Sequence, residues 1–291
     1  MTMRFFIFGA GYSGKAIGEL AVAQRHHAAG TTRSAEKAAM LREAGIMPLV
    51  FDGSSVTQDI AGALTETTHL VISIAPGEDD PVLAVARETI AAHMPALRWI
   101  GYLSTVGVYG DHKGAWVDED AACGPSAQRS QQRLDAEQAW TALGASIGRP
   151  VAILRLSGIY GPGRNALVNL ERGTARRIIK ENQIFNRIHV DDIAGATLHL
   201  AATGRGGIFN VTDNEPSPPQ DVIEYAASLM DVPPPPAIMF GDADLTPMAK
   251  SFYGENKRVS NARIRREGYD FRFPDYRTAF DYMWKSGVWR G

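Results

Sequence analysis

The sequence has a single cysteine, Cys123, among its 291 residues. One cysteine cannot form an internal disulfide, and no group of Cys and His residues has the spacing of a zinc site. The adjacent His26 and His27 lie where the first predicted helix leads into the second strand, and metal binding there would require more ligands nearby. The sequence therefore excludes a disulfide-stabilised scaffold and a zinc module, and we expect no bound metal.

An excess of one charge and a long apolar run are also missing. The 30 Lys and Arg residues are balanced by 32 Asp and Glu residues, for a formal net charge of −2. A nearly neutral chain has no overall field that would steer it to nucleic acid or to an anionic membrane. The apolar run Phe5–Phe8 is too short for a signal peptide, and no run is long enough to span a bilayer. We therefore expect a cytoplasmic protein with no nucleic-acid or membrane partner.

The first half of the chain contains a regular alternation of short apolar runs and helical patterns. The pattern predicts strands at Arg4–Phe8, His27–Thr32, Met47–Phe51, His69–Ile74, Trp99–Leu103 and Val151–Leu156. It predicts helices at Ser13–Gln24, Ala35–Ala44, Thr57–Leu64, Pro81–His93 and Arg129–Leu143. Strands separated by helices indicate right-handed βαβ units and a parallel sheet covered on both faces. The predicted fold class is α/β, with a Rossmann-type doubly wound parallel sheet.

The alternation ends after Gly161-Pro162-Gly163. A helix is predicted at Asp192–Ala202 and one more strand at Gly207–Val211. The proline-rich segments that follow, Ser217-Pro218-Pro219 and Pro233–Pro236, are predicted to be stiff and extended.

This break in the pattern suggests two parts of unequal size. Residues 1–161 and 184–215 are predicted to form the dinucleotide-binding Rossmann domain. Residues 162–183 and 216–291 are predicted to form a smaller, mixed α/β lobe that binds the substrate.

A glycine motif follows the first predicted strand directly and opens a helix. Gly9-Ala10-Gly11-Tyr12-Ser13-Gly14 matches G-x-G-x-x-G, and the strand–helix context gives the match its meaning. The first glycine makes the tight turn, Gly11 lets the backbone approach a pyrophosphate, and Gly14 allows close packing of helix on strand. The helix N-terminus then offers N–H groups and a partial positive charge to the phosphates. The sequence therefore predicts a dinucleotide site at Gly9, Gly11, Tyr12, Ser13 and Gly14.

An acidic residue is missing where NAD-preferring sites carry one. Such sites place an Asp or Glu at the end of the second strand to hold the ribose 2′-hydroxyl, but no acid lies between Glu19 and Glu36. Thr32, Arg33 and Ser34 stand at the strand end instead, and Arg33 can form charge-assisted hydrogen bonds to a 2′-phosphate. We therefore expect NADP as the cofactor. NAD, with Arg33 as an ordinary surface residue, is the alternative.

Strand order places two further segments near the expected cofactor. Asp52 follows the third strand and is predicted to lie beside the adenine. Ile74, Ala75 and Pro76 follow the fourth strand and are predicted to pass under the cofactor, because small residues allow a close approach.

Four later motifs occur in a recognisable order. They are Ser104-Thr105-Val106-Gly107-Val108-Tyr109-Gly110, Arg155-Leu156-Ser157-Gly158-Ile159-Tyr160-Gly161-Pro162-Gly163, His189-Val190-Asp191-Asp192 and Phe209-Asn210-Val211. Together with the glycine motif they resemble the extended short-chain dehydrogenase/reductase superfamily, which includes the NAD-dependent epimerases and dehydratases. The resemblance runs from about residue 4 into the C-terminal region and does not specify a substrate.

The resemblance implies a mechanism that this chain keeps only in part. In the family, a Tyr four residues before a Lys on one helix exchanges a proton with the substrate hydroxyl, and a Ser or Thr binds the same oxygen. Thr105 matches that Ser or Thr, and Ser104 is its neighbour. Glu137 matches a usual family Glu, which places Arg129 at the Tyr position and Arg133 at the Lys position. The chain therefore resembles the atypical branch that lacks the Tyr–Lys pair.

Arginine stays protonated in proteins and transfers protons poorly. Arg133 can still bind ribose hydroxyls or a substrate anion, and Arg129 lies one turn earlier on the same helix face. The alternative for both is a solvated basic face.

Five residues of the second half are expected at the mouth of a substrate cleft. They are Tyr160, Arg164, Asn165, Arg187 and His189. Arg164 and Arg187 can receive an anionic substrate, and His189 can titrate near neutral pH. A structural, hydrogen-bonding role is the alternative for His189.

Two classes of function fit these observations. The first is an NADP-dependent oxidoreductase or epimerase-like enzyme acting on a small molecule, with Thr105, Tyr109, His189 or a water as proton donor. The second is a non-catalytic dinucleotide-binding protein that senses redox state or regulates a partner, which the missing Tyr–Lys pair favours. A fold used only as a scaffold is a third possibility. The amphipathic helices are compatible with a monomer or a homodimer.

Overall fold

The computed structural model describes residues 2–291, with the side chain of Ala35 outside the description. The strands are β1 (Arg4–Phe8), β2 (His27–Thr32), β3 (Met47–Val50), β4 (His69–Ile72), β5 (Trp99–Thr105), β6 (Trp116–Val117), β7 (Val151–Leu156), β8 (Gly158–Tyr160), β9 (Arg177–Ile179), β10 (Arg187–His189), β11 (Gly207–Val211), β12 (Ala237–Met239) and β13 (Arg258–Val259). The α-helices are α1 (Tyr12–Ala23), α2 (Ala35–Glu43), α3 (Gln58–Glu66), α4 (Pro81–Ala92), α5 (Gln128–Ser146), α6 (Ala166–Glu171), α7 (Val190–Thr203), α8 (Pro219–Leu229), α9 (Pro247–Tyr253), α10 (Ala262–Arg266) and α11 (Tyr276–Ser286). Short 3₁₀ turns are formed at Val106–Tyr109, Phe240–Asp242 and Val288–Arg290.

The main sheet has seven strands in the order β11-β7-β5-β4-β1-β2-β3. Strand β1 pairs in parallel with β2 and with β4, and the pairs β2–β3 and β4–β5 are also parallel. The order reverses between β1 and β4, and a doubly wound sheet forms its ligand crevice at the carboxyl ends of the strands at such a point. The predicted Rossmann-type fold class is confirmed.

The sequence explains why these elements form. Residues Phe5–Phe8 of β1 and all of β7 are buried, as expected for strands covered on both faces. The helices α2, α3 and α4 each begin at a side-chain cap, formed by Ser34, Thr57 and Asp80. The strands predicted at Arg4–Phe8, His27–Thr32, Val151–Leu156 and Gly207–Val211 are confirmed with the same bounds.

One expectation about the proline-rich segments is wrong. Ser217-Pro218-Pro219 is not extended throughout, because Pro219 is the first residue of α8. Pro218 keeps an extended backbone, with φ −57° and ψ 144°, and Pro219 is at a helix start where a missing N–H breaks no hydrogen bond. The second predicted segment, Pro233–Pro236, has no regular secondary structure.

The chain forms two compact units. The first contains the residues up to Val108, Gln128–Arg155 and Ile193–Phe209, and the second contains Tyr109–Ala127, Leu156–Asp192 and Asn210–Gly291. The sequence-based division places residues 109–127, 156–161, 184–192 and 210–215 with the dinucleotide-binding part. The structure groups them with the second unit, where β6 pairs in parallel with β13. The roles assigned to the two parts stay predictions.

Each unit has its own apolar core. In the first unit the core contains Phe6, Phe8, Leu70, Ile72 and Trp140, among others. In the second unit one apolar cluster includes Tyr160, Leu167, Tyr276, Phe280 and Trp289.

Candidate functional site

The loop between β1 and α1 has the backbone geometry that a dinucleotide site requires. Gly9 has a φ of +88°, which disfavours any residue with a side chain. A Cβ on Gly14 would lie 2.3 Å from the carbonyl oxygen of Gly9, whereas a Cβ on Gly11 would meet no described atom within 4 Å. No described side chain caps the start of α1, which follows Gly11. The loop therefore offers an open backbone surface and the positive end of a helix dipole.

This glycine loop is held between the ends of two strands. The amide of Gly9 donates to the Thr31 hydroxyl at 2.8 Å, and the amide of Ala10 donates to the Thr31 carbonyl at 2.8 Å. On the other side, a Cβ on Gly9 would lie 2.7 Å from Cγ1 of Ile74. Ile74 therefore lies against the loop, and its contact with a cofactor stays a prediction. Thr31 is outside every motif, and the sequence signals its contact only as a hydroxyl residue near a strand end.

Thr32 is the last residue of β2, and Arg33 and Ser34 follow it; their side chains differ in whether they form hydrogen bonds within the protein. Ser34 caps α2 by accepting from the amide of Lys37 at 3.3 Å, and Thr32 accepts from the amide of Ser34 at 3.4 Å. Arg33 is exposed and forms no hydrogen bond or ion pair with any described residue. Arg33 is therefore the available cation at this strand end, beside which the sequence carries no acid.

The remaining predicted cofactor residues occupy varied positions. Asp52 follows β3, and its carboxylate accepts from the amide and hydroxyl of Ser54 at 2.9 and 2.6 Å. These hydrogen bonds lower the pKa of Asp52, so it is ionised near neutral pH. Tyr12 is exposed and Ser13 is buried. Ala75 and Pro76 follow β4, and Ala75 is exposed. Their contacts to a cofactor stay predictions.

Ser104 and Thr105 end strand β5 but use their hydroxyls differently. The buried Ser104 hydroxyl donates to Oε1 of Glu137 at 2.5 Å, and Glu137 forms a buried ion pair with Arg155 at 2.7 Å. Thr105 is half-buried, and its oxygen accepts from the amide of Gly107 at 3.1 Å. The proton of Ser104 is thus engaged in the interior, which does not support its predicted catalytic role, while the proton of Thr105 can be donated to a ligand.

A second hydroxyl lies close to Thr105 and carries no sequence motif. Ser130 is on α5, and its Oγ lies 2.8 Å from the point that a Cβ on Gly107 would occupy. The Oγ1 of Thr105 lies 3.4 Å from the same point. Both hydroxyls therefore lie beside Gly107, just after the end of β5. Sequence reasoning missed Ser130 because its proximity depends on how α5 packs against β5.

Helix α5 also carries the two arginines that the family resemblance predicts at the Tyr and Lys positions. Arg129 and Arg133 are four residues apart on this helix. The guanidinium of Arg133 donates to the carbonyl of Leu103 on β5. Arg133 therefore holds the helix to the strand end, and binding a ribose or an anion is a further role that stays a prediction.

Tyr109 was predicted as a proton donor, but the structure gives its hydroxyl another partner. Tyr109 is 1% exposed, and its hydroxyl donates to Oδ1 of Asn210 at 2.7 Å. The side chain of Asn210 is buried and donates in turn to the carbonyl of Ser260 at 3.0 Å. A phenol proton that is buried and donated in this way is not presented to a substrate, which corrects the prediction.

His189 does not titrate near neutral pH, which corrects a second prediction. It is 1% exposed, and its ring packs against Phe273 and Tyr160 with centroid distances of 4.3 and 5.3 Å. Burial, assisted by the positive charge of Arg272, lowers the pKa of His189 to about 3. The ring is therefore neutral, and Nδ1 accepts from the amide of Asp191 at 3.2 Å. The structural alternative for this histidine is the one that the contacts support.

Some of the other predicted substrate residues of the second unit use their side chains in hydrogen bonds within the protein. The Asn165 side chain caps α6 and donates to the carbonyls of Gly161 and Trp289, both at 2.8 Å, so its predicted substrate contact is not supported. Arg187 donates to the Ser217 hydroxyl at 2.7 Å. The Tyr160 hydroxyl is buried with no partner among the described residues, and Arg164 is exposed.

Two further observations cover residues 2–291. Within them, no three His, Cys, Asp or Glu side chains are grouped as a metal ion would need. None of the described helices has both the length and the hydrophobicity that spanning a membrane requires.

Comparisons with known proteins agree with this geometry. The model of the NAD-dependent epimerase/dehydratase family matches residues 6–212. A conserved protein of unknown function from Silicibacter pomeroyi DSS has a solved structure that is 44% identical, with a TM-score of 0.90 over 99% of both chains. Protein YeeZ of Escherichia coli K12 is 29% identical over 227 residues, or 75% of this chain and 76% of YeeZ.

A more distant structure shares the fold and carries a nucleotide. The human epimerase family protein SDR39U1 (isoform 2), solved with NADPH, is 17% identical, with a TM-score of 0.74 over 97% of this chain and 99% of that one. The parallel sheet, the glycine loop after β1 and the match over most of the chain lead to one conclusion. The chain belongs to the NAD-dependent epimerase/dehydratase family.

Proposed function

We propose that this protein binds NADP(H) in preference to NAD(H) and is an oxidoreductase or epimerase-like enzyme acting on a small molecule. The observation that carries the cofactor preference is Arg33. Its guanidinium is exposed at the end of β2 and has no partner among the described residues. Since a 2′-phosphate carries negative charge that a 2′-hydroxyl lacks, an available arginine favours NADP(H).

The glycine loop supports the same proposal. The space beside Gly11 and the uncapped start of α1 suit a pyrophosphate, and Ile74 bounds the loop on the side of β4. The human family member that was solved with NADPH shares the fold, which supports a nicotinamide dinucleotide as the ligand.

The residues at the end of β5 suggest how this chain handles the substrate. A bound nicotinamide supplies or accepts a hydride at the substrate carbon. Thr105 accepts from the Gly107 amide, so its own proton is free to bind the substrate oxygen, and Ser130 adds a second hydroxyl beside it. With arginine at both positions of the usual pair, we expect proton transfer to involve Thr105 or a water.

A regulatory, non-catalytic dinucleotide-binding protein is the second candidate. It is favoured by Arg133, whose guanidinium donates to the Leu103 carbonyl, whereas the family mechanism needs a Lys that holds the nicotinamide ribose. Such a protein needs a nucleotide site but no proton donor.

Calorimetric titration with NADPH and NADH tests the cofactor proposal. Because charge-assisted hydrogen bonds contribute about 1.5–3 kcal/mol, we expect Arg33→Gln to weaken NADPH binding by roughly 10- to 100-fold and to leave NADH binding unchanged. Arg42→Gln is the matched control, because Arg42 is another exposed arginine, near the end of α2. Equal NADPH and NADH affinities in the wild-type protein would contradict the proposed preference.

Turnover distinguishes the two candidate functions. Purified protein with NADPH and a panel of carbonyl compounds should oxidise NADPH above background if it is an enzyme. Nucleotide binding without turnover, together with a partner that binds the NADP⁺ and NADPH forms differently, would favour the regulator. A protein that binds neither dinucleotide would use the fold only as a scaffold.

A further inference from the structure

We propose that Thr31 is a positioning residue for the dinucleotide, because it fixes the glycine loop in the shape that receives a pyrophosphate. This inference rests on the proposed nucleotide-binding function and goes beyond it. It says that a residue outside the glycine motif contributes to binding the pyrophosphate, which NADPH and NADH share. Arg33, two residues later, would act only on the 2′-phosphate, which NADH lacks.

The hydrogen bonds of Thr31 reach two consecutive loop amides. The hydroxyl oxygen accepts from Gly9 and the carbonyl oxygen accepts from Ala10, both at 2.8 Å. Thr31 is 2% exposed, so water does not compete for these amides at that side chain. The side chain and the backbone of one residue therefore join the end of β2 to the first turn of the loop.

Close packing on both sides restricts the loop further. A Cβ on Gly30 would lie 2.7 Å from the Cβ of Ala10, so β2 approaches the loop as closely as a glycine allows. Ile74 lies against Gly9 from the side of β4. The amide of Gly11 donates to the Gly9 carbonyl at 2.8 Å and continues the turn toward α1. A change at Thr31 is thus transmitted to Gly11 through only two residues of tightly turned backbone.

The hydroxyl of Thr31 matters because Gly9 is in a conformation with few alternatives. Gly9 has a φ of +88°, and its amide has no second described acceptor. If the hydroxyl is replaced by a methyl group, the amide either loses its partner or turns toward solvent. If the Gly9 amide turns away, the glycine loop no longer has the shape that fits the phosphates. Nucleotide binding must then restore that shape, and the free energy this costs weakens the affinity.

The test uses Thr31→Val, which keeps the side-chain shape and removes the acceptor. We expect the Kd values for NADPH and for NADH to rise by the same factor, about tenfold, in calorimetric titrations. Thr31→Ser keeps the oxygen and should bind both nucleotides within about twofold of wild type. Arg33→Gln is the contrasting variant, because it should change the NADPH to NADH ratio that Thr31→Val preserves.

The outcomes separate the inference from the function on which it rests. Wild-type affinities in Thr31→Val, or a loss confined to NADPH, would overturn the inference and leave the proposed function standing. A wild-type protein that binds neither nucleotide would overturn both. Equal losses of NADPH and NADH affinity in Thr31→Val, with wild-type affinity restored in Thr31→Ser, support the positioning role. General destabilisation would instead appear as a lower unfolding temperature, and nucleotide affinity would not depend on whether residue 31 has a hydroxyl oxygen.

A measurement on the wild-type protein covers the case in which Thr31→Val does not fold. Hydrogen exchange followed by NMR should show the Gly9 amide protected in the nucleotide-free protein, since the Thr31 hydroxyl accepts from it. Exchange at the rate of an open glycine amide would mean that the hydrogen bond does not hold the loop, and the inference would fail.

Discussion

The carboxyl ends of β1 and β2 differ from the region around β8 and β10 in what their polar groups do. Gly11 is exposed, and a Cβ there would meet no described atom within 4 Å, while the guanidinium of Arg33 has no described partner. In the second unit, Tyr109, Asn165 and His189 donate to, accept from or pack against their own neighbours. Both regions carry residues with functional chemistry in the sequence, but these three side chains of the second unit are buried, whereas Gly11 and Arg33 are exposed. Availability, rather than residue type, separates a candidate site from a structural network.

The largest effect is expected from His189 in acid. Its pKa is about 3 in the folded protein, compared with an ordinary value of 6.5, so the unfolded chain binds the proton first as the pH falls. The stabilisation is complete above pH 6.5 and is lost as the pH falls toward 3. His189 alone should remove about 3 kcal/mol by pH 4.

Urea unfolding at pH 7, 5.5, 4.5 and 3.5 measures this loss. The substitution His189→Gln should reduce the dependence of the free energy of unfolding on pH. The matched change His69→Gln should reduce it over a narrower pH range, because burial lowers the pKa of His69 only to about 4. If the wild type and His189→Gln lose the same free energy of unfolding as the pH falls, the fold does not keep His189 neutral. Water would then reach the surroundings of His189 more easily than its burial indicates.

The next effect tests whether the surface at Gly11 is open. An added methyl group at Gly11 meets no described atom, so Gly11→Ala should fold with unchanged or slightly higher stability. The methyl would occupy the space of the pyrophosphate, and we expect NADPH binding to weaken on the order of 100-fold.

Gly62→Ala is the matched control for Gly11→Ala, because a Cβ at Gly62 in α3 also meets no described atom. It should raise the free energy of unfolding by up to about 1 kcal/mol and leave NADPH binding unchanged. Wild-type affinity in Gly11→Ala, measured by the same titration, would place the nucleotide elsewhere.

The smallest effect concerns Tyr109. Removing its hydroxyl leaves Oδ1 of Asn210 without this donor, so Tyr109→Phe should lower the free energy of unfolding by about 1–2 kcal/mol. NADPH affinity and any turnover should stay at the wild-type level. Tyr225→Phe is the control, since that hydroxyl donates to Asp281 at 2.6 Å in the same unit. Loss of turnover in Tyr109→Phe at unchanged stability would restore the phenol as a catalytic group.

Much of the first unit follows from sequence patterns. The run Phe5–Phe8 and the glycine motif after it predict a buried strand, a tight turn and a helix, and all three are found. Hydrophobic periodicity and glycine spacing are local properties of the chain, so they can be recognised without knowledge of the fold. The partners of Tyr109 and Ser104 were not predictable, because Asn210 is 101 residues from Tyr109 and Glu137 is 33 residues from Ser104.

The position of residues 109–127 shows the same limit. Their short strand β6 has only two residues and pairs with β13, which is also two residues long. Strands of this length have no periodicity that a sequence pattern can reveal. The predicted boundary between the two parts of the chain therefore rests on the hydrophobic periodicity of the longer helices and strands.

The sequence by itself determined that this chain forms a Rossmann-type sheet and carries a glycine loop, because hydrophobic period and glycine spacing act over a few residues. It also showed the missing acid beside Arg33, and it predicted that Arg129 and Arg133 stand at the positions of the family Tyr and Lys. Only the tertiary structure decided which polar groups remain accessible. It neutralised His189 by burial and joined Thr31 to Gly9, because burial and hydrogen bonding depend on residues brought together from distant parts of the chain.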